Sequence, residues 1–244
     1  VVKTGNSESA PYECWVKLVS QLTQTPQGAF RHRKERSNYT AEIASTILRA
    51  AGLLGEQRGV TRNRLSPVVY GVWLDGHEPS QPVYIGQTRN AARRLWDLPI
   101  GESHHLANTF PPEIWARVVV LRWPEILARE GDGSVAVRPI DDVDLGHGVE
   151  YALQHRYKPL MNLWSKKRNG DLNSIDLARS NSRGAKIASS SEFVACFSRV
   201  VTVWDELSRR SQSEKEWESL EFGGIAFPSR VYRRMVRRHR EGTG

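Results

Sequence analysis

Apolar positions recur along the chain with two different periods, and the changes of period mark out its elements. In "NYTAEIASTILRAAGLLG", Ile43, Ile47, Leu48 and Ala51 fall at helical spacing and Gly52 supplies a stop. The upstream "YECWVKLVSQL" reads as another helix, and the basic "RHRKER" between them as a solvated loop or a phosphate contact. At "SPVVYGVWLDGHEPSQPVYIG" the period shortens. Val68 to Trp73 is β-branched and aromatic, a Gly/Pro/Ser stretch turns the chain, and Val83 to Ile85 resumes the run, which predicts a hairpin with a long connection. "TRNAARRLWDL" returns to helix, with Thr88 or Asn90 as its cap and Pro99 as its terminator. "WARVVVLRW" predicts a strand and "GDGSVAVRPIDDVDLGHG" a loop or small hairpin. "HGVEYALQHRY" predicts a helix that opens on Glu150 in its first turn, shares one face among Val149, Ala152 and Leu153, and ends at Pro159. Past Trp164 apolar residues thin out through "SKKRNGDLNS" and "ARSNSRGAKIASSS", the composition of a linker. "SEFVACFSRVVTVWDELSRR" and "SRVYRRMVRRHR" then predict two closing helices.

This order predicts an α/β (α+β) protein: a small central mixed or antiparallel sheet flanked by helices, with further helical regions at both ends. Residues 1–64 read as a helical extension, 65–165 as the core, and 166–244 as a basic linker plus DNA-contacting helices. A chain of 244 residues that is 39% hydrophobic has material for one good core with embellishments. Its 35 Lys and Arg against 27 Asp and Glu leave a net charge of +8, which favours a polyanionic partner. Cys14 and Cys196 stand far apart, without the paired spacing of a zinc site, so neither a disulfide framework nor a structural metal knot is encoded and a reducing cytoplasm fits. No apolar run approaches the roughly 18 residues that span a bilayer, so no membrane partner is expected.

The polar residues placed on this scaffold define a candidate chemistry. Tyr70 and Tyr84 lie on paired strands, and on a common face their phenols converge. Arg94 follows on the next helix and Glu150 comes from a later one. Two phenols, a guanidinium and a carboxylate suit a phosphodiester. The carboxylate can hold Mg²⁺ together with several waters. The guanidinium can stabilise charge developing on phosphoryl oxygens, and a phenol of lowered pKa can take a proton from an attacking water.

The segment "PVVY…PVYIGQTRNAARRL…VEYALQHRYKPLMN", running from Pro67 to Asn162 over roughly two-fifths of the chain, resembles the GIY-YIG nuclease superfamily. "PVVY" is similar to the first motif, with Val68 where the family usually has glycine, and "YIG" matches the second in full. Arg94 falls at the spacing of the family's catalytic arginine, Glu150 resembles its metal-binding glutamate, and "KPLMN", ending at Asn162, is similar to the motif that closes the site. The resemblance implies metal-dependent hydrolysis of double-stranded DNA, with Glu150 on Mg²⁺ and Mn²⁺ able to substitute. Tyr70, Tyr84 and Arg94 would be catalytic, and Asn162 either catalytic or a hydrogen-bonding brace. Many members carry a histidine or tyrosine one helical turn after the arginine; Leu98 stands there, so His104 or His105 of "ESHHL" is the candidate replacement. Arg89, Arg93 and Lys158 read as DNA contacts. So do Arg233, Arg234, Arg237 and Arg238, which share a helix with an apolar stripe of Val231, Tyr232, Met235 and Val236. A central core with individual flanks points to a restriction-type or defence endonuclease, and one site per chain to a homodimer. A structure-specific repair or recombination nuclease is the alternative within the class, and a non-catalytic DNA-binding module the alternative outside it.

Overall fold

The β-branched run at Val68 makes β1 (Val68–Leu74), a strand buried along its whole length, and burial on both faces needs partners on both edges and a layer on each side. In the computed structural model, which describes residues 33–54, 66–77, 79–100, 106, 110–128, 142–166, 172–174, 176–210 and 214–242, it has them. β1 pairs antiparallel with β2 (Tyr84–Thr88) on one edge and with β3 (Trp115–Leu121) on the other. The sheet continues through β7 (Gly223–Ala226) to β6 (Trp217–Leu220), giving the order β2-β1-β3-β7-β6. β4 (Trp164–Lys166) and β5 (Leu172–Ser174) form a separate two-stranded ribbon.

Alternation along the strands gives the sheet two faces. Val68, Tyr70, Val72, Val118, Val120 and Ala226 point one way, into a core with Tyr39, Ile43 and Ile47 of α1 (Arg33–Ala50), Leu95 of α2 (Ala91–Asp97) and Val231 of α7 (Pro228–Gly242). Val69, Trp73, Ile85, Val119, Leu121 and Ile225 point the other way. They meet Ile126 of α3 (Trp123–Ala128), Leu145, Val149 and Leu153 of α4 (Asp142–Tyr157), and Val200 and Trp204 of α6 (Ser191–Arg209). The short α5 (Arg183–Ala188) packs on α4. The protein is thus a helix-sheet-helix sandwich of the expected α/β class. Among the described residues no helix is long and apolar enough to cross a membrane.

Two expectations need correction. Residues 166–244 read as linker and helices, yet 217–226 add two strands to the same sheet, and α1, α6 and α7 share the cores of 65–165, so the three-part division does not separate packing units. The strands escaped notice because "GGIA" lacks strand periodicity. Its glycines serve close approach instead: a Cβ on Gly224 would collide with the carbonyl oxygen of Ala50 at the end of α1. The second correction concerns α4, which starts at Asp142 and not at His147, so Glu150 lies mid-helix and is no helix-opening residue. Of "RHRKER", the backbone from Arg33 on opens α1; "YECWVKLVSQL", His104, His105 and residues 129–141 lie outside the described residues.

Candidate active site

The hairpin register sets the first two side chains. Tyr70 pairs with Gly86 and Val72 with Tyr84, so Tyr84, two positions from Gly86, shares a face with Tyr70. The rings lie 6.0 Å apart, tilted by 41°. Gly86 provides the notch between them, since a Cβ there would sit 2.8 Å from both phenol oxygens. The polar knuckle after β2 then positions the guanidinium. Asn90 caps α2 by accepting the Arg93 N–H at 3.1 Å, as the sequence predicted. One turn later the Arg94 Nε–H donates to the Tyr70 hydroxyl at 2.8 Å, and Arg94 also bonds Tyr84.

Glu150 reaches the same place from the other layer by way of the β2 edge. An edge strand presents unpaired backbone groups at alternate residues, here Val83, Ile85 and Gln87, and each has been taken by α4 or the turn after it. The Met161 N–H donates to the Val83 carbonyl at 2.8 Å. The Ile85 N–H donates to Asn162 Oδ1 at 2.8 Å, while Asn162 Nδ2 and Gln154 Nε2 each donate to the Ile85 carbonyl at 3.0 Å. The Gln87 N–H donates to the Glu150 carboxylate. Of the two roles open to Asn162, these bonds give it the brace. Its loss should therefore act on stability: Asn162→Ala leaves a strand amide and carbonyl short of partners, and thermal melts should show a loss of about 2 kcal/mol.

Electrostatics distinguish the four groups. Burial pushes the Glu150 carboxyl up to about 7, against the Gln87 N–H and the Arg94 charge, which favour its ionised form. Burial also raises Tyr70, whose hydroxyl is pulled back by Arg94 and by the bond it accepts from Tyr84. Tyr84 is raised by burial too, and the bond it donates to Tyr70 raises it further. The expectation of a phenol with lowered pKa therefore fails for the protein alone, because desolvation outweighs the guanidinium. The two accepted bonds nevertheless single out Tyr70 as the phenol whose ionised form has support.

The remaining sequence candidates divide. Arg89 and Arg93 are exposed at the start of α2, with Arg93 only loosely paired to Asp97 at 3.9 Å. Lys158 is exposed at the end of α4, where its backbone adopts φ 47° ahead of Pro159. Leu98, one turn after Arg94, is fully buried in the core beneath α2, so that position serves packing. On α7, Arg233, Arg237 and Arg238 are exposed, but Arg234 is not available to phosphate. Its guanidinium grips both carboxylate oxygens of Glu216 and bonds Glu42 at 3.0 Å, because it follows buried Val231 by one turn and faces α1 and the β6 end of the sheet. Replacing Arg233, Arg237 and Arg238 should thus lower the slope of log K against log[salt] by roughly 2.7 units, at about 0.9 per phosphate contact. Arg234→Met should leave that slope unchanged and lower the melting temperature, and the reverse pattern would dismiss α7 as a phosphate-binding face.

Sequence reasoning missed three residues at the site. Gln87 and Gln154 dock Glu150 and α4 on β2, and His147 Nδ1 lies 3.9 Å from Glu150 Oε2 and 3.3 Å from Gln87 Nε2. The signal available was helical spacing, since His147 and Gln154 stand at i−3 and i+4 from Glu150. Comparison of the chain with family models, curated proteins and solved structures gives no match.

Proposed function

We propose that the chain is a GIY-YIG-type DNA endonuclease that hydrolyses phosphodiester bonds with a divalent ion, Mg²⁺ or in its place Mn²⁺. Of the branches, it fits best a restriction-type or defence nuclease acting on double-stranded DNA as a homodimer, in the cytoplasm. The observation that carries it is the convergence of Tyr70, Tyr84, Arg94 and Glu150 beside β2, from the four elements β1, β2, α2 and α4, with Gly86 clearing the space between the phenols.

The donor set fits the ion. Glu150 is a carboxylate whose burial leaves it short of positive charge, and Mg²⁺ is ordinarily held by one or two carboxylates with waters and phosphate oxygens completing its shell. Among the described residues no three His, Cys, Asp or Glu side chains cluster. When bound, the ion supplies positive charge to the phosphoryl oxygens and acidifies water. Arg94 holds Tyr70 in place and faces the same phosphate, where it offsets charge that develops in the transition state. The charge on Glu150 is one of the causes that raise both phenols, so balancing it brings Tyr70 closer to accepting a proton from water.

The test is incubation with plasmid and Mg²⁺ followed by mapping of the ends. Double-strand breaks are expected, slowed about 10² to 10³-fold by Arg94→Ala and about 10² to 10⁴-fold by Tyr70→Phe, which keeps the ring's packing. Cutting confined to branched substrates would move the protein to the repair and recombination class, and salt-sensitive DNA binding without any cleavage would make it a binding module.

A further inference from the structure

We propose that His147 is a second protein donor to the ion held by Glu150, and that it tilts the site from Mg²⁺ toward divalent first-row transition ions, Mn²⁺ among them. The inference rests on the nuclease reading for the presence of an ion and goes beyond it in the donor set and the choice of metal.

His147 and Glu150 stand three residues apart on α4, the spacing that puts two side chains on one face of a helix. His147 Nδ1 and Glu150 Oε2 are 3.9 Å apart. An ion takes imidazole nitrogen and carboxylate oxygen at about 2.1 Å each, and two such bonds span up to about 4.2 Å, so one ion reaches both atoms as they stand. A right-angled pair of octahedral ligands needs a separation of about 3 Å on the same bond lengths. His147, with 41% of its side chain exposed, has room for the small rotation that closes the difference.

Gln87 Nε2 lies 3.3 Å from His147 Nδ1. An imidazole nitrogen has one lone pair, so an ion bound at Nδ1 takes the place of that contact, and the Gln87 amide turns to another oxygen. Gln87 lies against both donors, since its backbone N–H serves the Glu150 carboxylate while its side chain touches His147.

The helix holds these donors firmly. α5 lies so close to α4 that a Cβ on Gly184 would fall 2.6 Å from the His147 carbonyl oxygen, and a Cβ on Gly148 would meet Phe193 at 2.8 Å. A packed helix fixes the backbones that carry the two donors, so only the side chains move when the ion arrives. An imidazole nitrogen beside a carboxylate favours transition ions over Mg²⁺, which prefers oxygen ligands only.

The experiment uses the full chain without DNA and Mn²⁺ as the probe, read by electron paramagnetic resonance. Titration gives the affinity from the loss of the free Mn²⁺ signal, and electron spin echo modulation reports a nitrogen bonded to the ion. The parent is expected to show nitrogen modulation that changes frequency when its histidines carry ¹⁵N. In His147→Gln that modulation should vanish, Mn²⁺ should bind at least about tenfold more weakly, and the Mg²⁺ concentration that displaces it should fall. Thermal melts check that the variant is folded, and the isotope arm needs no variant. Bound Mn²⁺ without nitrogen modulation, or with modulation that survives His147→Gln, overturns the role of His147 and leaves Glu150 as metal ligand. Mn²⁺ binding that Glu150→Gln does not weaken overturns the underlying metal assignment as well.

Discussion

Glu150→Gln is expected to make the protein more stable at pH 8 while removing the cleavage activity proposed for it. An unfolded glutamate ionises near 4.5, and burial pushes Glu150 up to about 7 in the fold. Between these values the folded chain holds a proton that the unfolded chain has released, so stability falls as the pH climbs from about 4.5 to 7 and stays reduced above that. At about 1.4 kcal/mol per unit, discounted for the side chain's 24% exposure, the ionised carboxylate costs on the order of 2 to 3 kcal/mol at pH 8. Glutamine can still accept the Gln87 N–H and carries no charge. It should therefore raise the melting temperature by roughly 5 to 10 °C at pH 8 and by almost nothing at pH 4.5. Mg²⁺ should stabilise the parent and not the variant. Cleavage should drop on the order of 10² to 10⁴-fold, the worth of several kcal/mol of metal-assisted stabilisation. Melts from pH 4.5 to 8.5 beside plasmid assays check both parts. Equal melting temperatures at pH 8 would mean that Glu150 ionises as freely as an exposed acid, and unchanged cleavage would remove it from the metal.

Gly86→Ala should inactivate through space alone. The added methyl would lie 2.8 Å from both phenol oxygens and 2.7 Å from Tyr84 Cε1, closer than packed atoms tolerate. The rings must spread, which breaks the bond between Tyr70 and Arg94 or moves both from the positions that the proposed reaction requires. A displacement of about 1 Å in such a group costs about 10²-fold in rate, and overpacking costs about 1 to 3 kcal/mol. Gly76→Ala is the control. Gly76 has φ +77° with nothing within 4 Å of its Cβ, so alanine there should strain the turn, cost about 1 kcal/mol and spare the activity. If the two variants cleave alike, Gly86 is not the spacer described here.

What the sequence made legible was the part of the site built by local chemistry. The β-branched run at Val68, the turn residues before Val83 and the Asn90 cap each act within a few positions, and together they fix the hairpin, α2 and the meeting of Tyr70, Tyr84 and Arg94. Glu150 could be selected by its spacing to Asn162 but not placed, because its mid-helix setting depends on α4 starting at Asp142. The duties of Gln154 and Asn162 arise from the exposed edge of β2, which exists only once the sheet has formed. The fate of Arg234 was illegible for a similar reason: its partners Glu42 and Glu216 stand 192 and 18 positions away, and no helical pattern within "SRVYRRMVRRHR" distinguishes a guanidinium facing them from one facing solvent.

The closure of the β2 edge also bears on when the candidate site is completed during synthesis. Tyr70, Tyr84 and Arg94 can meet as soon as the hairpin and α2 have left the ribosome, but the clamp joins Ile85 to Gln154 across 69 positions and to Asn162 across 77. β3 gains its second neighbour later still, when β7 emerges. Contacts of such long range form last, and the chain folds from its amino-terminal end as it is made. A partial chain that ends before the turn at Asn162 has the phenols and the guanidinium without a seated carboxylate. On the nuclease reading proposed above, truncated products would carry an incomplete site.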